Sequence, residues 1–267
     1  MAALEDSAEA VWSTVREQAA EAKSSPVLAP YLERAIDAHA TLPHAVAHML
    51  AAKLASRDDG LVPAQLESEL AALLAEPPVC AALTSDLVCV VASDPAAPSL
   101  LTVLLQFKGF AALQAHRAAH SLWARAEQQD DAGARQLALL LQGRASELLG
   151  VDIHPGAKLG PGIFIDHATG IVIGEQAEVG GGCYVLHGVT LGATGKKEKG
   201  TGRRHPRVGE KVTIGSGASI LGPVIVGDGA TVGANAVVTK NVEPGTTVID
   251  TSFMNNRVLA PRKAKAA

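Results

Sequence analysis

Between Ile153 and Val237 the chain is written in sixes. IHPGAK, LGPGIF, an eight-residue IDHATGIV, IGEQAE, VGGGCY, VLHGVT and LGATGK run from Ile153 to Lys196; VGEKVT, IGSGAS, ILGPVI, VGDGAT and VGANAV run from Val208 to Val237. An aliphatic residue opens each unit. Glycine follows it at 160, 174, 180, 192, 209, 215, 227 and 233, and the fifth position is often small, as at Ala157, Ala177, Cys183, Ala218, Ala230 and Ala236. So short and regular a period predicts a parallel β-helix, because one coil cannot bury its own apolar face and must share a core with its neighbours. The opening aliphatic is expected to point into a prism. The glycine beside it is expected to turn a corner at φ values closed to other residues.

Residues 1–150 follow a different rule. They hold five of the 26 glycines and are rich in Ala, Leu, Glu, Gln and Arg, all helix formers. In LLQFKGFAALQAHRAAHSLW, Leu104, Phe107, Ala111, Ala115, Ala118 and Leu122 fall on one helical face. Pro77-Pro78 and the SDPAAP stretch from Ser93 to Pro98 punctuate this half into several helices. The reading is α+β: an all-helical domain over 1–150, a β-helix over 151–247 with an excursion at 197–207, and a tail over 248–267.

Composition narrows the function. A net charge of −4 gives no global basic field for nucleic acid. Cys80, Cys89 and Cys183 form neither a CxxC pair nor an even disulfide framework, which fits a reducing compartment. The start MAALEDSAEAVW lacks a basic region followed by an apolar one, and no apolar run reaches membrane-spanning length. The expectation is a cytoplasmic protein, or a plastid or mitochondrial one whose transit peptide has been removed, with no membrane and no nucleic acid among its partners.

Chemistry is expected where the period breaks, since departures from a rigid wall can aim side chains elsewhere. One break is the two-residue surplus in IDHATGIV, carrying Asp166 and His167; the other is the eleven-residue excursion from Lys197 to Arg207. With Lys196, that excursion holds six Lys or Arg against one acid, Glu198, a local basic patch suited to phosphates.

VDIHPGAKLG, DHATGIVIGE, VTLGATGK and RRHPRVG, in that order, resemble the signature run of the serine acetyltransferases of plants and bacteria. The resemblance reaches back through SDPAAP and LLQFKGFAALQAHRAAHSLW and covers roughly residues 10–247. It implies a helical N-terminal domain before a left-handed β-helix. It also implies transfer of acetyl from acetyl-CoA, a co-substrate and not a resident cofactor, to L-serine on the route to cysteine. Flat walls with few charges fit the homotrimer, or dimer of trimers, that the family forms, with sites between neighbouring β-helices.

The resemblance also distributes roles. His167 matches the general base, as a serine hydroxyl requires a base poised near neutrality. Asp152 matches the carboxylate that orients the imidazole. With three hexads per coil, the fifteen residues between them place the two on adjacent coils. Asp94 and Asp166 match the groups that take the serine ammonium, and Arg204, whose planar fork suits a carboxylate, the one that takes the other end. His205 and Glu175 complete that pocket. Gly192, Ala193, Thr194, Lys196, Ser216 and Ala234 match positions lining the CoA groove. Ala193 stands where the family usually has glycine, and Ser216 where alanine is frequent.

Three rival readings differ in class. Another hexapeptide acyltransferase would share the repeats but not Arg204 with two aspartates. A zinc hydratase would need three imidazoles on one metal; His154, His167, His187 and His205 are available, although no metal is expected, since no zinc cysteine cluster is present. A dead scaffold would not keep Asp152, His167, Arg204 and His205. Relatives often end in a bulky aliphatic residue that docks into O-acetylserine sulfhydrylase. This chain reads IDTSFMNNRVLAPRKAKAA after Val248, so that complex is expected to be weak or absent.

Overall fold

A computed structural model of the chain describes residues 7–55, 60–195 and 202–250. Lys196, most of the excursion's first half and the tail after Asp250 lie outside them. The helices are α1 (Ala8–Ala22), α2 (Ala29–Leu32), a π-helical turn (Glu33–Asp37), α3 (Leu42–Leu54), α4 (Pro63–Leu74), α5 (Pro77–Ser93), α6 (Leu100–Gln106), α7 (Lys108–Gln129) and α8 (Ala132–Leu149). Pro77 and Pro78 open α5, where a missing N–H costs nothing. Ser99 caps α6, and Gly150 ends α8 at φ 71°. The apolar face expected from Leu104 to Leu122 is interrupted at Phe107, which is extended (φ −84°, ψ 101°) and separates α6 from α7.

From Val151 the chain winds into a parallel β-solenoid of about five turns. Wall one stacks β1 (Val151–Ile153), β4 (Ile171–Ile173), β7 (Thr190–Gly192), β10 (Ser219–Leu221) and β13 (Val237–Val238). Wall two stacks β2 (Lys158–Leu159), β5 (Glu178–Val179), β8 (Arg207–Val208) and β11 (Ile225–Val226). Wall three stacks β3 (Phe164–Asp166), β6 (Tyr184–Leu186), β9 (Thr213–Ile214), β12 (Thr231–Val232) and β14 (Thr247–Val248). The register reports both breaks. Ile173 lies beside Leu191, eighteen residues on, whereas Val151 lies beside Ile171, twenty on, and Leu191 beside Ile220, twenty-nine on.

Ile153, Ile165, Ile173, Val179, Val185, Leu191, Val208, Ile214, Ile220, Val226 and Val232 are buried inside the prism with the small fifth-position residues. The glycines beside them have a different reason from the one expected. None of 160, 174, 180, 209, 215, 227 or 233 has a positive φ; that belongs to glycines at the following turn, such as Gly162, Gly182, Gly217 and Gly229. Those beside the aliphatics are glycine because the next coil stacks so closely. A Cβ on Gly160 would meet Gly181 N at 2.5 Å, and one on Gly215 would meet Ala234 N at 2.5 Å.

The helical half is clamped to the solenoid by a buried ion pair. Arg117 on α7 donates to both Asp86 carboxylate oxygens, at 2.6 and 2.8 Å, and to the Gly160 carbonyl at 2.9 Å. Asp86 also accepts from Gln114 and from the Ile163 N–H. So complete a set of partners lets a charge stay out of water. Close by, Gly109 brings α7 onto β3: a Cβ there would lie 2.0 Å from the Ile165 carbonyl oxygen.

Candidate active site

Apart from Asp94, on the helical half, and Asp152, on wall one itself, the described residues singled out from sequence sort onto the two prism edges that border wall one. At the edge between walls three and one, the chain leaves β3 through Asp166-His167-Ala168. His167 and Ala168 both have positive φ, 56° and 60°. For non-glycine residues the left-handed region costs roughly 1–2 kcal/mol each, and such strain persists where the surroundings impose it, often at functional sites. The turn is held by the Ala168 N–H on the Asp166 carbonyl (2.6 Å) and the Thr169 N–H on the His167 carbonyl (2.7 Å).

Above this turn lies a cleft of about 550 Å³, lined by Asp94, Gln106, Lys108, Asp166, His167 and Thr169 among others. Asp94 arrives from the helical half, where it ends α5 and its Oδ1 accepts from the Ala96 N–H at 2.8 Å. Asp166 accepts from the Tyr184 hydroxyl at 2.6 Å, and the Tyr184 ring stacks on Phe164 at 4.8 Å. Burial, the hydrogen bond to Asp166 and the charge of Asp94 push the Tyr184 phenol far up, so it remains a donor. Lys108 donates to Thr169 Oγ1. Two carboxylates thus converge on one cleft beside an imidazole: Asp166 Oδ1 stands 3.6 Å from His167 Nε2, and the His167 side chain is 74% exposed.

The edge between walls one and two carries the second group. Arg204 faces Glu175 at 3.7 Å and its N–H donates to the Gln176 side chain at 2.8 Å. His205 is buried, its ring filling the space that a Cβ on Gly174 would take. Burial, then Arg204, hold its imidazole below the ordinary value, so it is neutral near pH 7. Arg203, which the sequence reading passed over, ties this turn down through Glu178 (3.0 Å) and the Gln176 carbonyl (3.0 Å).

The CoA positions divide in the same way. Gly192 ends β7 and Ala193 and Thr194 follow it on the edge between walls one and two, whereas Ser216 and Ala234 lie on the His167 edge, on coils further along. His187 lies on the His167 edge in the turn from β6 to β7, its ring 5.7 Å from that of His167. Two expectations change. Asp152 and His167 are not stacked on adjacent coils: the surplus residues lengthen the first coil, Asp152 pairs in register with Val172, and its Oδ1 accepts from Gln142 Nε2 at 2.6 Å. The hydratase reading also loses ground, since among the described residues His154, His167, His187 and His205 form no three-ligand cluster within the chain. Gln106, Lys108, Thr169 and Tyr184 are site residues that local sequence gave no reason to select.

A stacked hexapeptide solenoid with an imidazole, paired carboxylates and an arginine along its edges defines a transferase of the hexapeptide class, and the model for bacterial transferase hexapeptide repeats matches residues 205–240. The N-terminal model for serine acetyltransferases matches residues 11–115. Serine acetyltransferase 1, chloroplastic, of Arabidopsis thaliana is 43% identical over 242 residues, 90% of this chain and 73% of that protein. The structure of soybean serine acetyltransferase complexed with serine superposes with a TM-score of 0.83 at 41% identity, covering 93% and 98% of the two chains. That of the Brucella abortus enzyme in complex with coenzyme A gives 0.82 at 38%, covering 90% and 92%. The chain belongs to the serine acetyltransferase family.

Proposed function

We propose that the chain transfers the acetyl group of acetyl-CoA to the hydroxyl of L-serine, with His167 as general base. Two carboxylates beside an imidazole, on a strained corner of a rigid wall, carry the reading. Asp94 and Asp166 hold the serine ammonium, the Tyr184 hydroxyl fixes Asp166, and the serine hydroxyl meets the imidazole. His167 takes the hydroxyl proton as the oxygen attacks the thioester carbonyl. The tetrahedral intermediate then collapses, the C–S bond breaks, and the thiolate of CoA leaves with the proton that His167 returns. Ser216 and Ala234 continue along the same edge, a track for the pantetheine arm with its sulfur end towards His167.

Arg204 is expected to take the serine carboxylate, with His205 and Glu175 beside it in the same pocket, yet within one chain wall one separates them from His167. A three-residue strand spans about 10 Å. The outward column of that wall is Asp152, Val172, Thr190, Ser219 and Val237, with one charge. Three chains packed about this wall bring the His167 edge of one against the Arg204 edge of the next. Asp152 keeps a role in positioning if its other oxygen turns to an imidazole in that assembly.

Mass analysis of the product tests the reading. O-acetylserine should form with L-serine, and neither homoserine nor an amino sugar should be acetylated at a comparable rate. Equal acetylation of a sugar hydroxyl would assign the cleft to a different acceptor.

A further inference from the structure

The acetyl-transfer reading uses none of the histidines in the helical half. There His39, just after the π-turn, His48 on α3 and Glu67 on α4 converge, with one ligand atom from each lying within 4.8 Å of the others. His48 Nδ1 is 3.0 Å from Glu67 Oε2, and the His39 and His48 rings are 4.7 Å apart. All three residues are half-buried.

Two further features suit a ligand set. His39 Nε2 lies 3.1 Å from the Arg34 carbonyl oxygen. A carbonyl can only accept, so Nε2 carries the ring proton and Nδ1 keeps its lone pair. This is the outer hydrogen bond that metal-bound histidines commonly make. The π-turn from which His39 emerges closes through the Ala38 N–H on the Glu33 carbonyl at 2.9 Å, a rare geometry that concentrates at functional sites.

We propose that His39, His48 and Glu67 bind one zinc ion, which ties the π-turn to α3 and α4 away from the acetyl-transfer cleft. Two imidazoles and a carboxylate form a donor set that zinc accepts with a fourth position left for water or another ligand. Zinc bonds of about 2.0–2.2 Å require the widest pair of donors to draw together, which side-chain torsions can do. The sequence expectation of no metal rests on missing cysteine ligands, and this site uses none.

The test uses full-length protein without a polyhistidine tag, stripped with chelator, loaded with a small molar excess of zinc chloride over chains and dialysed against metal-free buffer. Elemental analysis should find one zinc per chain, cobalt(II) should give the visible spectrum of a low-symmetry site, and zinc should raise the melting temperature. His48→Ala and Glu67→Gln should each lose the metal and the thermal shift while keeping their circular dichroism and acetyl-transfer rate. Substoichiometric zinc in the wild-type protein, or equal uptake by the folded variants, would overturn the assignment.

Discussion

Gly109→Ala is expected to damage acetyl transfer although the residue touches no substrate. The added methyl would lie 2.0 Å from the Ile165 carbonyl oxygen, whereas an ordinary contact begins near 3.4 Å. Backbone stands on both sides, so α7 and β3 must separate by more than an ångström. Arg117, eight residues along α7, is held on Asp86 and Gly160, so the helix cannot retreat as a unit without straining that buried pair. Overpacking of this kind costs about 1–3 kcal/mol. The gap opens beneath Asp166 and His167, and Lys108 leaves Thr169 with it. Misplacement of a catalytic group by about 1 Å costs roughly 10²-fold in rate. Steady-state kinetics on the folded variant should show kcat/KM for serine falling on that order, with denaturation reporting the stability loss separately. A folded Gly109→Ala protein with wild-type kinetics would refute the idea that this contact sets the cleft.

Other outcomes follow from the same geometry. His167→Ala should lower kcat by roughly 10²- to 10⁴-fold with the oligomer retained, and Asp152→Asn should cost less, since Asp152 engages Gln142 and not His167 within the chain; turnover assays rank the two. Mixing inactive His167→Ala and Arg204→Ala chains, unfolded and refolded together, should restore activity at about a quarter of the interfaces in a random trimer; no recovery in confirmed mixed trimers would place both groups in one chain's site. His116 is buried, Nδ1 has no partner, and burial, then His120 and Arg117, holds its pKa well below 6.5. The unfolded chain therefore binds the extra proton, and this contribution to stability is present above about pH 6.5 and lost as pH falls towards the folded value, by up to about tenfold in the folding equilibrium per pH unit. Denaturant midpoints across that range should show the slope, and His116→Leu should flatten it.

The solenoid was legible because its period is local: an aliphatic every sixth residue states both the wall and the inward face. The surplus at Asp166-His167 marked the strained corner for the same reason. The meaning of the glycines was not legible. Their constraint comes from the coil stacked against them, as with Gly160 against Gly181, and no single hexad contains both partners. Lys108 and Gln106 escaped because their roles depend on the helical half docking over β3, a contact between halves with unrelated grammar, and Tyr184 because its partner Asp166 lies on the neighbouring coil. The expected stacking of Asp152 on His167 failed on arithmetic: the two surplus residues that expose His167 also lengthen the coil used to count the spacing. The sequence singled out none of His39, His48 and Glu67; only the fold brings the π-turn, α3 and α4 together around them.

The account rests on serine being the acceptor, and release of CoA from acetyl-CoA measures that most directly. With L-serine present the thiol should appear rapidly, and with L-serine omitted, or with His167→Ala, it should fall to near background. Thiol release that is fast and indifferent to serine would contradict the account.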